Sequence, residues 1–381
     1  MSHIALVIPT LDRIAGAERQ VMLLARGMAD RNWRVSIVTL SGNGANATPE
    51  LRSAGVEFVS LEMRKGLADP RGWFRFRAWL RHSRPDVVHA HLPHAAWLAR
   101  WSRLAAPIPV LIDSIHTSAT GGWGRRIGYR MSKRLPDLVS AVSQGVADAC
   151  EAAGMILPPR LMVIPNGVDV EHWRPNPAAR NDLRRSLGFT DEFLWFAAGR
   201  LDPVKDYPGL LRAMTQFSKA AHLVIAGGGP GEASLRRLAG QLGIESRVRF
   251  LGFQHDVLSW MQAADALVLT SRWEGLPMSL LEAGGCALPA VATDVAGSRE
   301  IIVHGKTGFL TAVADCVALG EAMSTMMRMG VEARAAMGIQ ARNRIVESFS
   351  LDKVLDRWET VYRELLPQHG TCFESGEPAR S

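Results

Sequence analysis

ALVLTSRWEGLPMSLLEA, residues 266–283, is the stretch on which the fold turns. Its apolar opening has no polar alternation, the pattern of a strand covered on both faces. A polar loop follows, then Pro277, which fits the first position of a helix, then an apolar helical run. This is one strand–loop–helix unit, and two glutamates, Glu274 and Glu282, bracket its loop-to-helix junction. With Pro277 at the helix start, the amides of Leu276, Met278 and Ser279 are free donors facing the sheet edge. Glu282 lies about 7 Å further along the axis at 1.5 Å per residue. Two carboxylates repel a phosphate but accept hydrogen bonds from neutral hydroxyls. The residues alone also fit a plainer account, in which Glu274 complements the helix dipole and Glu282 is a partnered or surface acid.

The same unit recurs in both directions. Upstream in the same half, FLWFAAG (193–199), HLVIAGG (222–228) and VRFLGF (248–253) read as strands, and AVATDV (290–295) follows. The first half repeats the rhythm with IALVIP (4–9), RVSIVTL (34–40), VEFVSL (56–61), DVVHAH (86–91), VLIDSIH (110–116), LVSAVS (138–143) and LMVIPN (161–166). Helical patterns fill the gaps, so the expectation is two doubly wound α/β domains. The charged, proline-rich run 172–192 reads as the linker between them. This divides the chain into 1–172 and 173–350. Residues 351–366 form a last amphipathic helix that needs a surface for Val354, Leu355, Trp358, Val361, Tyr362 and Leu365. Residues 367–381 read as a disordered tail.

The 381 residues suit two domains of ordinary size. No apolar run is long enough to span a bilayer, and the N-terminus lacks the features of a signal peptide. The expected location is cytoplasmic. The four cysteines are scattered without a CxxC pair, which argues against a cysteine metal site or a disulfide framework. Residues 1–170 carry 21 Lys+Arg against 13 Asp+Glu, a balance of +8, and the remainder 23 against 24, a balance of −1. That asymmetry points to an anionic partner for the first half alone: nucleic acid, anionic lipid or a phosphorylated acceptor.

Other candidate groups lie at strand ends, the edge that carries ligands in such sheets. Arg200 and Lys205 follow the first strand of the second half, where a guanidinium fork and a point charge suit a diphosphate; a solvated loop is the plain alternative. AGGGPGE (226–232) lacks the spacing of a dinucleotide fingerprint, so its glycines read as serving a tight turn. His116 ends VLIDSIH, and His89 and His91 flank the preceding strand end. With no helix-spaced or acidic partner these three do not read as a metal site. Gly16 permits close backbone approach in the first loop, and Glu18 falls in the first helical turn.

Together these segments resemble the retaining glycosyltransferases of family four, over about residues 3–366. The resemblance rests on GAER (16–19), IH (115–116), AVS (141–143), IPNGVD (164–169), GRL with Lys205 (199–205), GGGP (227–230), EGLPMSLLEA (274–283) with its Glu-x7-Glu spacing, LPAVATDVAGSREII (288–302) and HGKTGFL (304–310). It implies the GT-B fold, two Rossmann-like domains facing across a cleft, with residues 351–366 crossing back onto the first. It also implies a nucleotide-sugar donor as co-substrate, no cofactor and no metal. Arg200 and Lys205 match the pair that holds the diphosphate. Glu274 matches the residue on the sugar hydroxyls, with the backbone of Gly275, Leu276, Pro277 and Met278 alongside. Glu282 matches the acid on the ribose, Phe253 the turn at the base edge, His116 the histidine near the reaction centre, and Gly16 the loop that closes on the diphosphate. The sequence departs from the family at Ala15-Gly16, where Gly-Gly is common. It departs again at 284, 285 and 287, where methionine, alanine and glycine are usual and Gly284, Gly285 and Ala287 stand.

The implied reaction is hexosyl transfer with retention from a UDP-sugar, or alternatively GDP-mannose, to a glycan or lipid-linked acceptor in bacterial cell-surface polysaccharide synthesis. RGWFRFRAWLRHSR (71–84) and WGRRIGYRMSKR (123–134) interleave arginine with aromatics, which suits an anionic membrane surface at the inner face of the plasma membrane. Trp73, Phe76 and Leu80 read equally as a buried helix face. The alternatives are a soluble acceptor such as a sugar phosphate, a non-catalytic sugar-nucleotide-binding subunit, and a nucleic-acid-binding protein. The last leaves the C-terminal motifs unexplained, so no nucleic-acid partner is expected.

Overall fold

The computed structural model describes residues 1–366 apart from 13, 43–48, 65–68, 119–120, 190, 218–220 and 255. The expected tail over 367–381 lies outside the described residues. In the first half β1 (His3–Ile8), β2 (Arg34–Thr39), β3 (Glu57–Ser60), β4 (Val87–His91), β5 (Val110–Ile115), β6 (Leu138–Ala141) and β7 (Leu161–Val163) form one sheet in the order β3-β2-β1-β4-β5-β6-β7. Every neighbouring pair is parallel. The second sheet holds β8 (Phe193–Ala198), β9 (Ala221–Ala226), β10 (Val248–Gly252), β11 (Ala266–Leu269), β12 (Ala290–Thr293) and β13 (Gly308–Thr311), in the order β10-β9-β8-β11-β12-β13, again all parallel. The direction of winding reverses between β1 and β4 in one sheet and between β8 and β11 in the other. Crevices open at such switch points, outside the carboxyl ends of the strands.

The apolar runs form strands because both faces are covered: β1, β4, β5, β6, β11 and β12 are buried at every position. Strand β13 is a correction to the sequence reading. GFLT is short, half-exposed at two positions, and pairs on one side only, so it lacks the continuous apolar signature. The expected linker is corrected as well. Pro177–Ser186 is a helix, capped by Asn176, whose side chain accepts from the Ala179 amide at 3.2 Å. Its arginines are not solvated linker charges: Arg180 and Arg184 reach the Asp265 carboxylate at 2.6 and 3.0 Å.

The last helix, Leu351–Leu365, lies on the first sheet's side of the molecule. It buries Val354, Leu355, Trp358, Val361 and Tyr362 in the core that also holds Leu24 and Met28. The chain gets there through a bridge at Val168, whose amide donates to Phe349 O and whose carbonyl accepts from Leu351 N, both at 2.9 Å. Arg342 braces the crossover between the halves, donating to the carbonyls of Val170, Trp173 and Gly285.

The departures at 284–287 have a packing meaning. An added Cβ at Gly284 would fall 2.6 Å from Ile345 Cγ1, and one at Gly285 2.9 Å from Trp173 O. Small residues therefore let helix Val331–Ser348 and the crossover lie close. Ala287 sits at φ +54°, where a Cβ is strained and glycine is not.

Candidate functional site

The two sheets face each other with their carboxyl edges, and the loops at those edges touch. On the C-terminal side, the loop after β11 runs from Thr270 to Pro277. Its Glu274 carboxylate takes two hydrogen bonds on Oε1, from Lys205 Nζ and Ser271 Oγ, each at 2.5 Å. Lys205 is delivered by the short 3-10 turn Pro203–Lys205, which Asp202 caps through the Val204 amide. Arg200 stays largely in water and pairs with Asp202 at 2.6 Å, its side chain 77% exposed. Of the two expected cations, only Lys205 thus meets Glu274.

Helix Met278–Gly285 starts one residue later than expected. Pro277 is its N-cap, with an extended ψ of 115°, and not its first helical residue. The amides of Leu276, Met278 and Ser279 still have no hydrogen-bond partner among the described residues. Glu282 projects from this helix and is buried, with 4% of its surface exposed. Its carboxylate pairs with Arg19, which comes from helix Gly16–Asp30 of the other half. Burial pushes the Glu282 carboxyl above its usual range, and Arg19 pulls it back part of the way. Sequence reading gave Arg19 no separate role; the signal available was its place in GAER, on the first turn of a helix facing the cleft.

Further contacts close the two halves on each other. Gly275 packs so tightly on the His116 carbonyl that an added Cβ would lie 2.1 Å from its oxygen. Asn166 Nδ2 donates to Leu276 O at 3.3 Å, and Gln20 Nε2 lies 3.2 Å from Met278 Sδ. Gly16 faces Met278, with a Cβ position 3.3 Å from Met278 Cγ. Glu300 caps the opposing helix Gln144–Ala152 through the Gly145 amide at 3.1 Å. Arg19, Gln20, Asn166 and Glu300 were all missed as cross-cleft groups.

On the N-terminal side, His116 follows β5. Its Nε2 meets His91 Nδ1 at 3.1 Å, and burial pushes its imidazolium pKa down to about 4, so the ring is neutral near pH 7. Phe253 follows β10 and is 65% exposed beside the glycine loop 226–232. Those glycines serve close packing: Gly227 lies against Gly199 O, and Gly229 and Gly231 against Leu201 O. His116, Gly16, Lys205, Glu274, Gly275, Leu276, Pro277, Met278 and Glu282 therefore converge, while Arg200 and Phe253 flank them on exposed loops. Among the described residues no group of three metal-ligating side chains occurs, and no helix is long and apolar enough to cross a membrane.

Residues 179–344 match the family model for glycosyl transferases group 1, and residues 14–172 match that for Glycosyltransferase Family 4. The D-inositol 3-phosphate glycosyltransferase of Mycolicibacterium paratuberculosis is 30% identical over 312 residues, 75% of this chain and 68% of that protein. The chain belongs to glycosyltransferase family 4.

Other members of the family are similar over comparable lengths. The N-acetyl-alpha-D-glucosaminyl L-malate synthase of Bacillus anthracis is 27% identical, covering 74% of this chain and 75% of its own. The Escherichia coli UDP-Gal:alpha-D-GlcNAc-diphosphoundecaprenol alpha-1,3-galactosyltransferase is 25% identical, covering 75% and 77%. Among solved structures, Anabaena HepE in complex with UDP-glucose superposes with a TM-score of 0.85 at 22% identity, over 96% of this chain and 100% of that one. That likeness bears on the fold alone, which is GT-B: two Rossmann-like domains, each built on a parallel sheet.

Proposed function

We propose that the chain moves a hexosyl unit, with retention at the anomeric carbon, from a nucleoside-diphosphate sugar to an acceptor bearing negative charge. The observation that carries this reading is the convergence at one cleft of partnerless helix-start amides with two acids, each held by a cation. The amides and Glu274 take the hexose hydroxyls, Glu282 takes the ribose, and Phe253 meets the base edge. Lys205 and Arg200, with the Gly16 loop, take the diphosphate. His116 borders the reacting carbon. In the transfer the anomeric C–O bond to the diphosphate breaks and a bond from the acceptor oxygen forms on the same face. The acceptor proton goes to the leaving phosphate oxygen, and Lys205 and Arg200 stabilise the charge that collects there.

A UDP-sugar is the favoured donor, because the similar HepE structures hold UDP, UDP with glucose, and UDP-glucose, and the E. coli relative is named for UDP-Gal. GDP-mannose is the alternative. The relatives are named for malate, inositol 3-phosphate and diphosphoundecaprenol acceptors, all anionic, which fits the +8 balance of residues 1–170. A lipid-linked acceptor, and a place in cell-surface polysaccharide synthesis at the inner face of the plasma membrane, draws support from the exposed Phe74, Trp123 and Met131. They stand among the exposed Arg71, Arg126, Arg130 and Arg134. A soluble anionic acceptor is the second reading, favoured by the malate and inositol phosphate relatives. Transfer is proposed to need no metal.

Thermal-shift screening against UDP-, GDP- and ADP-sugars tests the donor, since a bound ligand raises apparent stability. NMR of the anomeric coupling in the product tests retention; an inverted product refutes it. Activity lost on chelation refutes metal independence. Failure to pellet with anionic liposomes at low salt refutes the membrane surface and leaves the soluble acceptor.

A further inference from the structure

The end of β4 carries two histidines with different settings. His89 is fully partnered: Nδ1 meets Tyr362 OH and Nε2 meets Ser114 Oγ, both at 2.7 Å. It ties the returning helix to the sheet. His91 is equally buried, at 3% exposed, yet among the described residues its ring makes one hydrogen bond, Nδ1 to His116 Nε2, and its Nε2 has no partner. His116 Nδ1 has none among them either. Both rings line a small cavity of about 30 Å³ with Asn166 and Trp358, which has room for a water molecule. The residue after His91, Leu92, sits at φ +71°, ψ 154°, a region that only glycine adopts without strain. Strain of this kind persists only where the surroundings over-determine it, and here it sits immediately beside the His91–His116 contact.

The chemistry of the pair is restrictive. Two neutral imidazoles carry one N–H each, and only one hydrogen fits between the facing nitrogens. If His91 Nδ1 donates, His116 Nε2 is bare and His116 Nδ1 carries the hydrogen. If His116 Nε2 donates, its Nδ1 is bare and His91 Nε2 carries one. The tautomer of His116, and so whether its remaining nitrogen gives or accepts a hydrogen bond, is coupled to that of His91. Burial keeps both rings neutral.

We propose that His91 is a positioning residue for His116: the Nδ1-to-Nε2 hydrogen bond holds the His116 ring in one orientation for the donor sugar and ties its neutral tautomer to that of His91. The inference rests on the reading of His116 as part of the transfer site. Its test has one readout that needs no substrate and one that does. In protein labelled with 15N-histidine, long-range 1H–15N spectra report the tautomers of His91 and His116 directly. The wild type is expected to show matched rings, His91 and His116 both Nδ1–H or both Nε2–H. His91→Asn, whose amide can give or accept at the place of Nδ1, is expected to keep the hydrogen bond and the ring's orientation, with turnover within about threefold. His91→Phe, which fills the space without the hydrogen bond, is expected to show mixed or switched tautomers and about tenfold or greater loss of kcat with little change in donor KM. A wild type with one ring Nδ1–H and the other Nε2–H overturns the proposal, and needs no variant to fold. So does a His91→Phe protein with the wild-type tautomer and turnover. If the wild type transfers no sugar, the functional reading falls while the spectra still decide the coupling.

Discussion

Glu282 is a buried carboxylate whose one hydrogen-bonding side chain among the described residues, Arg19, comes from the opposite domain. Replacing Arg19 by methionine keeps the length of the stem and removes the cation. Stranding a charge by breaking a wholly buried pair costs about 3–5 kcal/mol. Here the Arg19 side chain is 38% exposed and the Glu282 side chain 6%. Water already screens the arginine, so the loss scales down to about 2 kcal/mol, in the range of a hydrogen bond to a charged group. At 1.36 kcal/mol per factor of ten, donor binding to the closed form weakens about thirtyfold.

The pH dependence has a definite sign. A carboxyl whose buried pKa lies above its free value binds its proton more tightly when buried, so the closed form loses stability as pH rises from about 4.5 through the raised value. Without Arg19 the pull that lowers this pKa is gone, and the upper end of the window moves to higher pH. The defect in Arg19→Met should therefore be largest at pH 8 and narrow towards pH 5.5, where Glu282 is closer to neutral. Titration calorimetry with the UDP-sugar at both values measures it. A double-mutant cycle with Glu282→Gln should give a coupling of about 2 kcal/mol. Additive effects, or equal donor affinity of variant and wild type at both pH values, would falsify the account.

Three further outcomes are expected. Lys205→Ala should lower turnover by about 10²–10³, the scale of one preorganised donor; near-normal turnover in steady-state assays counts against its role on the leaving phosphate. Gly275→Ala places a Cβ 2.1 Å from His116 O. Since backbone cannot step aside as a side chain can, the domains must part there, with about a hundredfold loss of kcat and a melting temperature close to wild type. An equal loss in melting temperature and activity would show a folding defect instead. Ala287→Gly removes a Cβ from a φ of +54° and should stabilise the C-terminal domain by about 1 kcal/mol in urea melts, with no change in donor affinity.

What the sequence disclosed follows from how far each signal reaches along the chain. The strands of both sheets were legible because parallel strands buried on two faces read as unbroken apolar runs. β13 escaped because an edge strand with two half-exposed positions has no such run. Pro177–Ser186 passed for a linker because its arginines look solvated until Asp265 folds against them from far along the chain. In the site, the acids and the helix-start amides were visible as a local pattern. Their partners were not: Lys205 meets Glu274 across 69 residues of chain, and Arg19 meets Glu282 across 263. Both acids stand in ion pairs with cations from distant parts of the chain, a juxtaposition that no local spacing encodes.

Those ion pairs bear on how a charged donor enters on the proposed reading. Lys205 and Glu274 are each less than a fifth exposed, so much of the desolvation of both groups is already spent in holding them together. A diphosphate that reaches Lys205 replaces one anionic partner by another, and sugar hydroxyls that reach Glu274 replace one set of donors by another. Neither step strips water from a bare charge. Arg200 is different. At 77% exposure and with Asp202 as its one ion-pair partner among the described residues, it keeps its hydration until the cleft fills, and its charge already reaches across to Glu18 of the N-terminal domain. Lys205 is then the resident cation of the site and Arg200 the one that swings in. Loss of Arg200 should therefore weaken capture of the donor while Lys205 remains seated, whereas loss of Lys205 also leaves Glu274 without its cationic partner and disturbs the hexose end. Arg200→Ala is expected to raise donor KM more than it lowers kcat, the reverse of Lys205→Ala. Matching kinetic profiles for the two variants would mean that the cations act as one unit and that the resting pairing carries no division of labour.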